Sequence, residues 1–361
     1  MKNLESVKQY SKQFIEDFTP YKKGKWCYED GIILSACEYL YKVTKEESYN
    51  DFILNYLDKA IDDNGNLAQY KKEDYNIDNI NAGKVLFDAY DQTQKDKFKK
   101  AMELLYSQLE THPRTNSGSF WHKKRYPFQI WLDGLYMGQP YYARYIKEYT
   151  DSNNYDDILK QFKNVKEYLW DEERELYIHA YDENKVMQWA DKETGKAPNV
   201  WSRAVGWVAM ALVDVMEICD TPEVTDALKP MLKEQIDGMI RYQDDSGMWY
   251  QVVDQPEVEG NYLETSGTVM FAYAILKGVR LGLLDEKYLA IGKKAFNGTV
   301  KQYFYEEDNK YHLGGTCEVA GLDNEKRDGS VAYYLSEKIV VDEAKGVAPF
   351  LMALSEMILL D

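Results

Sequence analysis

Two short stretches place ionisable groups where chemistry could use them. WLDGLYMGQP (Trp131 to Pro140) and WSRAVGW (Trp201 to Trp207) each set bulky aromatics and one charged side chain at the start of an apolar helix. A charge in such surroundings is costly unless it has a partner or a task. Asp133 and Arg203 are those charges. Asp133 has two readings that can both hold. It can cap the helix by accepting from free backbone N–H groups. It can also act as a general acid, because Trp131, Tyr136 and Met137 would desolvate its carboxyl and raise its pKa. Arg203 keeps its proton and offers a planar fork to a carboxylate or to vicinal hydroxyls, or else to a carboxylate of the protein itself. Trp201 and Trp207 are six residues apart and do not share a helical face. One can line a site while the other supports it, or both can be core.

Other groups fall at comparable places. His122 (FWHKK) and His179 (YIHAY) sit in two aromatic loops, and Tyr28 and Asp78 open two more apolar helices. Several chemistries lack their motif: there is no GxSxG elbow, Walker loop or GxGxxG turn. The four histidines are scattered and form no HExxH pair, so the expectation is no metal and no cofactor. Cys27, Cys37, Cys219 and Cys317 have no redox or zinc spacing.

The elements that must hold these residues follow from hydrophobic periodicity. Six apolar helices rich in small residues are predicted at 31–41, 80–90, 132–146, 204–218, 267–281 and 346–358. Six charged amphipathic helices alternate with them at 4–18, 46–61, 95–109, 155–168, 225–241 and 286–303. Ahead of most apolar helices lies a turn followed by alternating aromatics, beginning at Asp63, Ser117, Glu173, Asp245 and Asp308. Helical pairs repeating in this way without polar capping repeats favour a closed ring over an open solenoid. The expected fold is all-α, an (α/α)6 barrel with the aromatic loops at one mouth, as a single catalytic domain over residues 1–361.

Composition limits the partners. The net charge of −17 argues against nucleic acid and anionic membranes. No apolar run reaches transmembrane length, and the N-terminus reads as an amphipathic helix, so a cytoplasmic monomer is expected. The 31 Tyr and 8 Trp exceed what packing requires and suit the faces of sugar rings.

In order along the chain, WLDGLYMGQP, YIHAYDE, WSRAVGW, YLETSGTVMFAYAILKG and AKGVAPFLMA closely resemble glycoside hydrolase family 105, the unsaturated rhamnogalacturonyl hydrolases. The resemblance runs from about Trp26 to the C-terminus. It implies an (α/α)6 barrel and a small unsaturated oligosaccharide as substrate. It also implies removal of a 4,5-unsaturated galacturonyl residue by hydration of its vinyl ether. Asp133 matches the acid of that family and Asp78 a second acidic position. Tyr28, His122, His179, Trp201, Arg203 and Trp207 match substrate-lining positions. The run Gly138 to Pro140 departs from the family pattern and could alter the pocket wall. Three alternatives remain: an unsaturated glucuronyl hydrolase acting on glycosaminoglycan fragments, a sugar epimerase or isomerase using His122 and His179, and a carbohydrate-binding protein.

Overall fold

The computed structural model describes residues 2–360, and among them twelve long helical elements form two concentric layers. The inner ring comprises Tyr28–Thr44, an interrupted element at 78–93, Asp133–Tyr149, Ser202–Cys219, Thr265–Arg280 and Ala344–Leu359. Each packs on the next, and the last returns to the first, so the ring is closed. The outer helices are Lys2–Glu16, Glu47–Ala60, Asp96–Thr111, Asp156–Leu169, Pro222–Ile240 and Leu289–Tyr303. This is the (α/α)6 barrel that the alternating pattern predicts. Inner helices such as Ser202–Cys219 are buried over almost their whole length, which is why they read as apolar all round.

Small residues let the inner helices approach. A Cβ on Gly31 would stand 2.5 Å from the Ala82 backbone, and one on Gly267 would stand 2.6 Å from Ser202 Oγ. The second inner element departs from the predicted helix at 80–90. It runs as Asp78–Asn81, then a 3₁₀ stretch Ala82–Val85, then Leu86–Thr93. Asn79, Asn81 and Gly83 are weak helix formers, and Ala82 is pressed against Gly31, so the tighter turn replaces the α pitch there.

Strands are short and paired in twos. The Phe304–Glu307 and Lys310–Leu313 hairpin is the longest, and Gln129–Trp131 pairs with Ala180–Asp182 across two repeats. One hydrogen bond recurs around the ring. In each aromatic loop a carbonyl accepts from the backbone N–H at the entry to the preceding inner helix. The pairs are Trp26 to Ala68 (2.9 Å), Ile77 to His122 (3.2 Å), Leu132 to His179 (3.2 Å), Ser202 to Gln251 (3.1 Å) and Thr265 to Gly315 (2.9 Å). All five loops therefore gather at the end of the barrel where the inner helices begin. Those helix starts are also where their free N–H groups point.

Candidate active site

The recurring bond makes certain residues structural equivalents. His122 and His179 occupy the accepting position of adjacent loops, and Asp78 and Asp133 each follow the donor residue. The result is two Asp–His pairs, side by side at the mouth. In the first, His122 Nε2 lies 3.4 Å from Asp78 Oδ1, and Lys123 Nζ lies 2.5 Å from Asp78 Oδ2. In the second, His179 Nε2 lies 3.6 Å from Asp133 Oδ2, just beyond hydrogen-bond length. No cation is paired with Asp133 among the described residues, and its Oδ2 has no donor.

Tyr334 stands behind the second pair. Its hydroxyl is 2.6 Å from His179 Nδ1. Burial holds the Tyr334 phenol well above its usual pKa, so it keeps its proton. With the hydroxyl donating to Nδ1, the ring hydrogen of His179 falls on Nε2, facing Asp133. Tyr334 arrives on a short helix, Val331–Ser336, from a long loop after the last hairpin. Nothing in the sequence pattern marks it.

The electrostatics of the two carboxyls differ in cause. Burial pushes Asp78 up, but the charges of Lys123 and His122 outweigh it and hold the carboxyl below its usual range. Burial also pushes Asp133 up, and the facing His179 together with His122 brings it below its usual range. The sequence reading expected a raised Asp133, because it counted the aromatic neighbours and could not see His179. The capping role also falls away: Leu132 has helical φ and ψ, and no side chain caps this helix. His122 is pushed down to about 4, chiefly by burial.

A cavity of about 900 Å3 opens at this mouth, with Tyr28, Asp78, His122, Asp133 and Met137 in its wall. Asp133 is 17% exposed against 9% for Asp78, so it is the more reachable carboxyl. Three rings form a flat stack beside them. His122 lies on Trp131 at 4.7 Å and 3°, and Trp131 on Tyr126 at 4.9 Å and 13°. The rim mixes cations, among them Lys25, Lys124, Arg125 and Arg327, with the carboxylates of Glu29, Glu73 and Asp74.

The remaining predicted residues stand behind that wall. His179 is fully buried between Trp131 and Trp201. Trp201 donates from Nε1 to Gln251 Oε1 at 3.1 Å and stacks under the Arg203 guanidinium. Arg203 is 1% exposed and donates from Nη1 to Ser266 Oγ and to the Cys317 carbonyl. Its Nη2 has no acceptor, and no carboxylate lies within ion-pair distance among the described residues. Burial, and after it the charge of Glu29, holds the Tyr28 phenol well above its usual pKa, so it keeps its proton. Trp207 is deeper, stacked on Tyr136 at 4.9 Å. The Gly138 to Pro140 departure does not reach the mouth: Gly138 packs on Ile77, and Pro140 lines a cavity at the opposite end. Pro140 leaves the Tyr136 carbonyl without its helical donor, and Asn81 Nδ2 takes that place at 3.4 Å.

Residues 3–360 match the family model for Glycosyl Hydrolase Family 88. The chain belongs to that family. It is also similar to a solved Clostridium acetobutylicum glycoside hydrolase of family 105, with 42% identity, a TM-score of 0.93 and 99% of each chain covered. The family 105 resemblance read from the motifs is thus borne out. Protein Atu3128 of Agrobacterium fabrum is 39% identical over 232 residues, 62% of this chain and 99% of its own length. The unsaturated rhamnogalacturonyl hydrolase YesR of Bacillus subtilis is 24% identical over 271 residues, 73% of each chain. The unsaturated glucuronyl hydrolase of Bacillus sp. GL1 has the same fold at a TM-score of 0.69 and 12% identity. The protein is therefore a glycoside hydrolase of the family 88 and 105 group. No helix among its described residues is long and apolar enough to cross a membrane.

Lys123, Tyr126, Trp131 and Tyr334 are absent from the predicted site. The first three adjoin predicted residues in FWHKKRYPF and IWLD, so the aromatic and basic density there was a usable signal. Tyr334 had none.

Proposed function

We propose that the protein removes a 4,5-unsaturated galacturonyl residue from the non-reducing end of rhamnogalacturonan oligosaccharides. Asp133, in its protonated form, gives a proton to C4 of the double bond. Positive charge develops at C5 and is shared by the ring oxygen. Water adds at C5 and returns a proton to the Asp133 carboxylate. The resulting hemiketal opens and releases the aglycone. One carboxyl suffices for this route, whereas ordinary glycosidases work with two at a set separation.

The observation that carries the reading is Asp133 itself. It is a cavity-wall carboxyl that, among the described residues, has one oxygen lacking a donor and no paired Lys or Arg. Its carboxyl is ionised in the free protein, and it takes up a proton when the substrate carboxylate enters, adding like charge and excluding water. Asp78, neutralised by Lys123, stays a carboxylate that orients water or a sugar hydroxyl. Arg203 stands one layer behind the wall with its Nη2 free of an acceptor among the described residues, and it supplies the charge toward which the uronate is drawn. His122 and His179 each face an aspartate with Trp131 between them, an arrangement poorly suited to an epimerase acid–base pair.

Following the ultraviolet absorbance of the conjugated double bond tests this directly. Lyase-digested rhamnogalacturonan should lose its absorbance faster than an unsaturated glycosaminoglycan disaccharide. An unchanged signal with the rhamnogalacturonan digest would overturn the reading. Arg203→Ala should raise KM about ten- to hundredfold, the range of a lost hydrogen bond to a charged group, with a smaller effect on kcat.

A further inference from the structure

A second cavity, of about 430 Å3, lies where the inner helices end. Arg144 and Asp214 in its wall stand about three helical turns beyond Asp133 and Arg203, so it is at the face opposite the mouth. Its charged groups are nearly all matched. Lys42 lies 2.8 Å from Asp88, Arg144 lies 2.8 Å from Glu148, and Arg280 lies 2.6 Å from Glu356. Lys147 donates to the Ile218 carbonyl at 2.7 Å, and Asp214 is 2.7 Å from the buried Lys277.

Lys84 is different. It sits on the 3₁₀ stretch of the second inner element, with its Nζ 3.7 Å above the centroid of the Tyr136 ring. That nitrogen is sealed from solvent and has no acceptor among the described residues. In the same wall Glu38 Oε2 lies 3.4 Å from Lys42, while its Oε1 has no donor among the described residues. A cation–π contact returns only part of what desolvating an ammonium costs. Buried polar atoms almost always have partners, so an ammonium at a cavity wall with only a ring beneath it points to an acceptor that the chain does not supply. Burial pushes the Lys84 amine down to about 7, and it pushes the Glu38 carboxyl up to about 7 in spite of Lys42.

We propose that this cavity is a second ligand site, taking a small monoanionic hydroxy acid of sugar-acid size. Its carboxylate accepts from Lys84 Nζ, and a hydroxyl donates to Glu38. The flexible Lys84 side chain needs only to swing off the Tyr136 ring to meet it. The volume lies within the range of small-molecule sites, and Tyr39, Phe87 and Tyr141 supply flat apolar walls. The other cations of the wall already face a carboxylate or a carbonyl, so the site offers one unmatched positive charge and suits a monoanion better than a dianion such as a phosphate ester. This inference stands apart from the reaction at the mouth.

Calorimetric titration of the full chain carrying Arg203→Ala, which removes the uronate-binding charge at the mouth, with D-galacturonate and with D-galactose as the neutral control, tests it. Galacturonate should bind, and galactose should bind far more weakly. Lys84→Met is unbranched, apolar and one heavy atom shorter; added to that chain it should weaken galacturonate at least about tenfold, as expected for a lost charge-assisted bond. In the otherwise unchanged chain, its turnover on the unsaturated oligosaccharide should stay within twofold of the parent. Lys84→Gln should show the same loss and serves if the methionine variant fails to fold. Galacturonate binding that survives both Lys84 substitutions, equal binding of galactose, or no binding to the Arg203→Ala chain would each overturn the proposal.

Discussion

The two Asp–His pairs at the mouth share a backbone plan and differ in what backs them. Asp78 has Lys123 on one oxygen and His122 near the other. Asp133 faces His179 and has no paired Lys or Arg among the described residues, and His179 is held by Tyr334. A lysine fixes a carboxylate permanently, because protonating the acid would strand the ammonium. A histidine oriented by a tyrosine stabilises the carboxylate less and leaves it free to gain a proton when the site fills. The barrel thus makes two equivalent positions, and their partners assign one to hold charge and the other to transfer it.

The largest expected effect separates those roles. Asp133→Asn keeps the shape but has no acidic proton, so kcat should fall by about 10²- to 10⁴-fold with the melting temperature little changed. Asp78→Asn should lose less turnover and more affinity, read as a KM effect. If Asp133→Asn retained more than about a tenth of the parent turnover, the two roles would have to be exchanged.

Next comes the lysine. Lys123→Met leaves the buried Asp78 carboxylate without its cation and should cost about 3–5 kcal/mol of stability near pH 7, measured by denaturant titration. Asp78 is held below its usual range in the fold, so its stabilisation is present above the unfolded carboxylate pKa and lost as pH falls through the folded value. The gap between parent and variant should therefore narrow on acidification. A gap that widened would show that Lys123 acts elsewhere.

Tyr334→Phe should be milder. It frees the His179 ring to change tautomer, so kcat should fall about tenfold, at the low end for a perturbed general acid, and KM should stay near the parent value. The kcat–pH profile should shift as well; equal loss in a pH-independent manner would mean that Tyr334 only packs. The smallest effect concerns metals. A carboxylic acid needs no Lewis acid to protonate a double bond, so EDTA should leave kcat unchanged, and restoration of lost activity by zinc, calcium or manganese would count against the scheme.

Much of this was readable before the structure. The barrel followed from periods that bury one set of helices on all sides, and the loops at one mouth followed from their recurrence ahead of those helices. Asp133, Asp78, His122 and Tyr28 could be placed at the cavity because each falls at a helix start or in a repeated loop. Arg203 and His179 fall at such positions too, yet stand one layer back. What escaped were contacts between distant segments. Tyr334 meets His179 across 155 positions of chain. The direction of the Asp133 shift depended on that pairing and not on its sequence neighbours. The break at Ala82 came from the close approach of Gly31, which lies on another helix.

The central claim is that Asp133, and not its equivalent Asp78, takes up the proton when the site fills. Carboxyl-resolved ¹³C NMR of Asp-labelled protein, titrated with and without a saturated uronide in the mouth, reads it directly. Both carboxyls should titrate below their usual range in the free protein. In the complex Asp133 should move up toward neutrality while Asp78 remains ionised. A complex in which Asp78 gains the proton, or in which Asp133 stays ionised down to its free-protein range, would contradict the account.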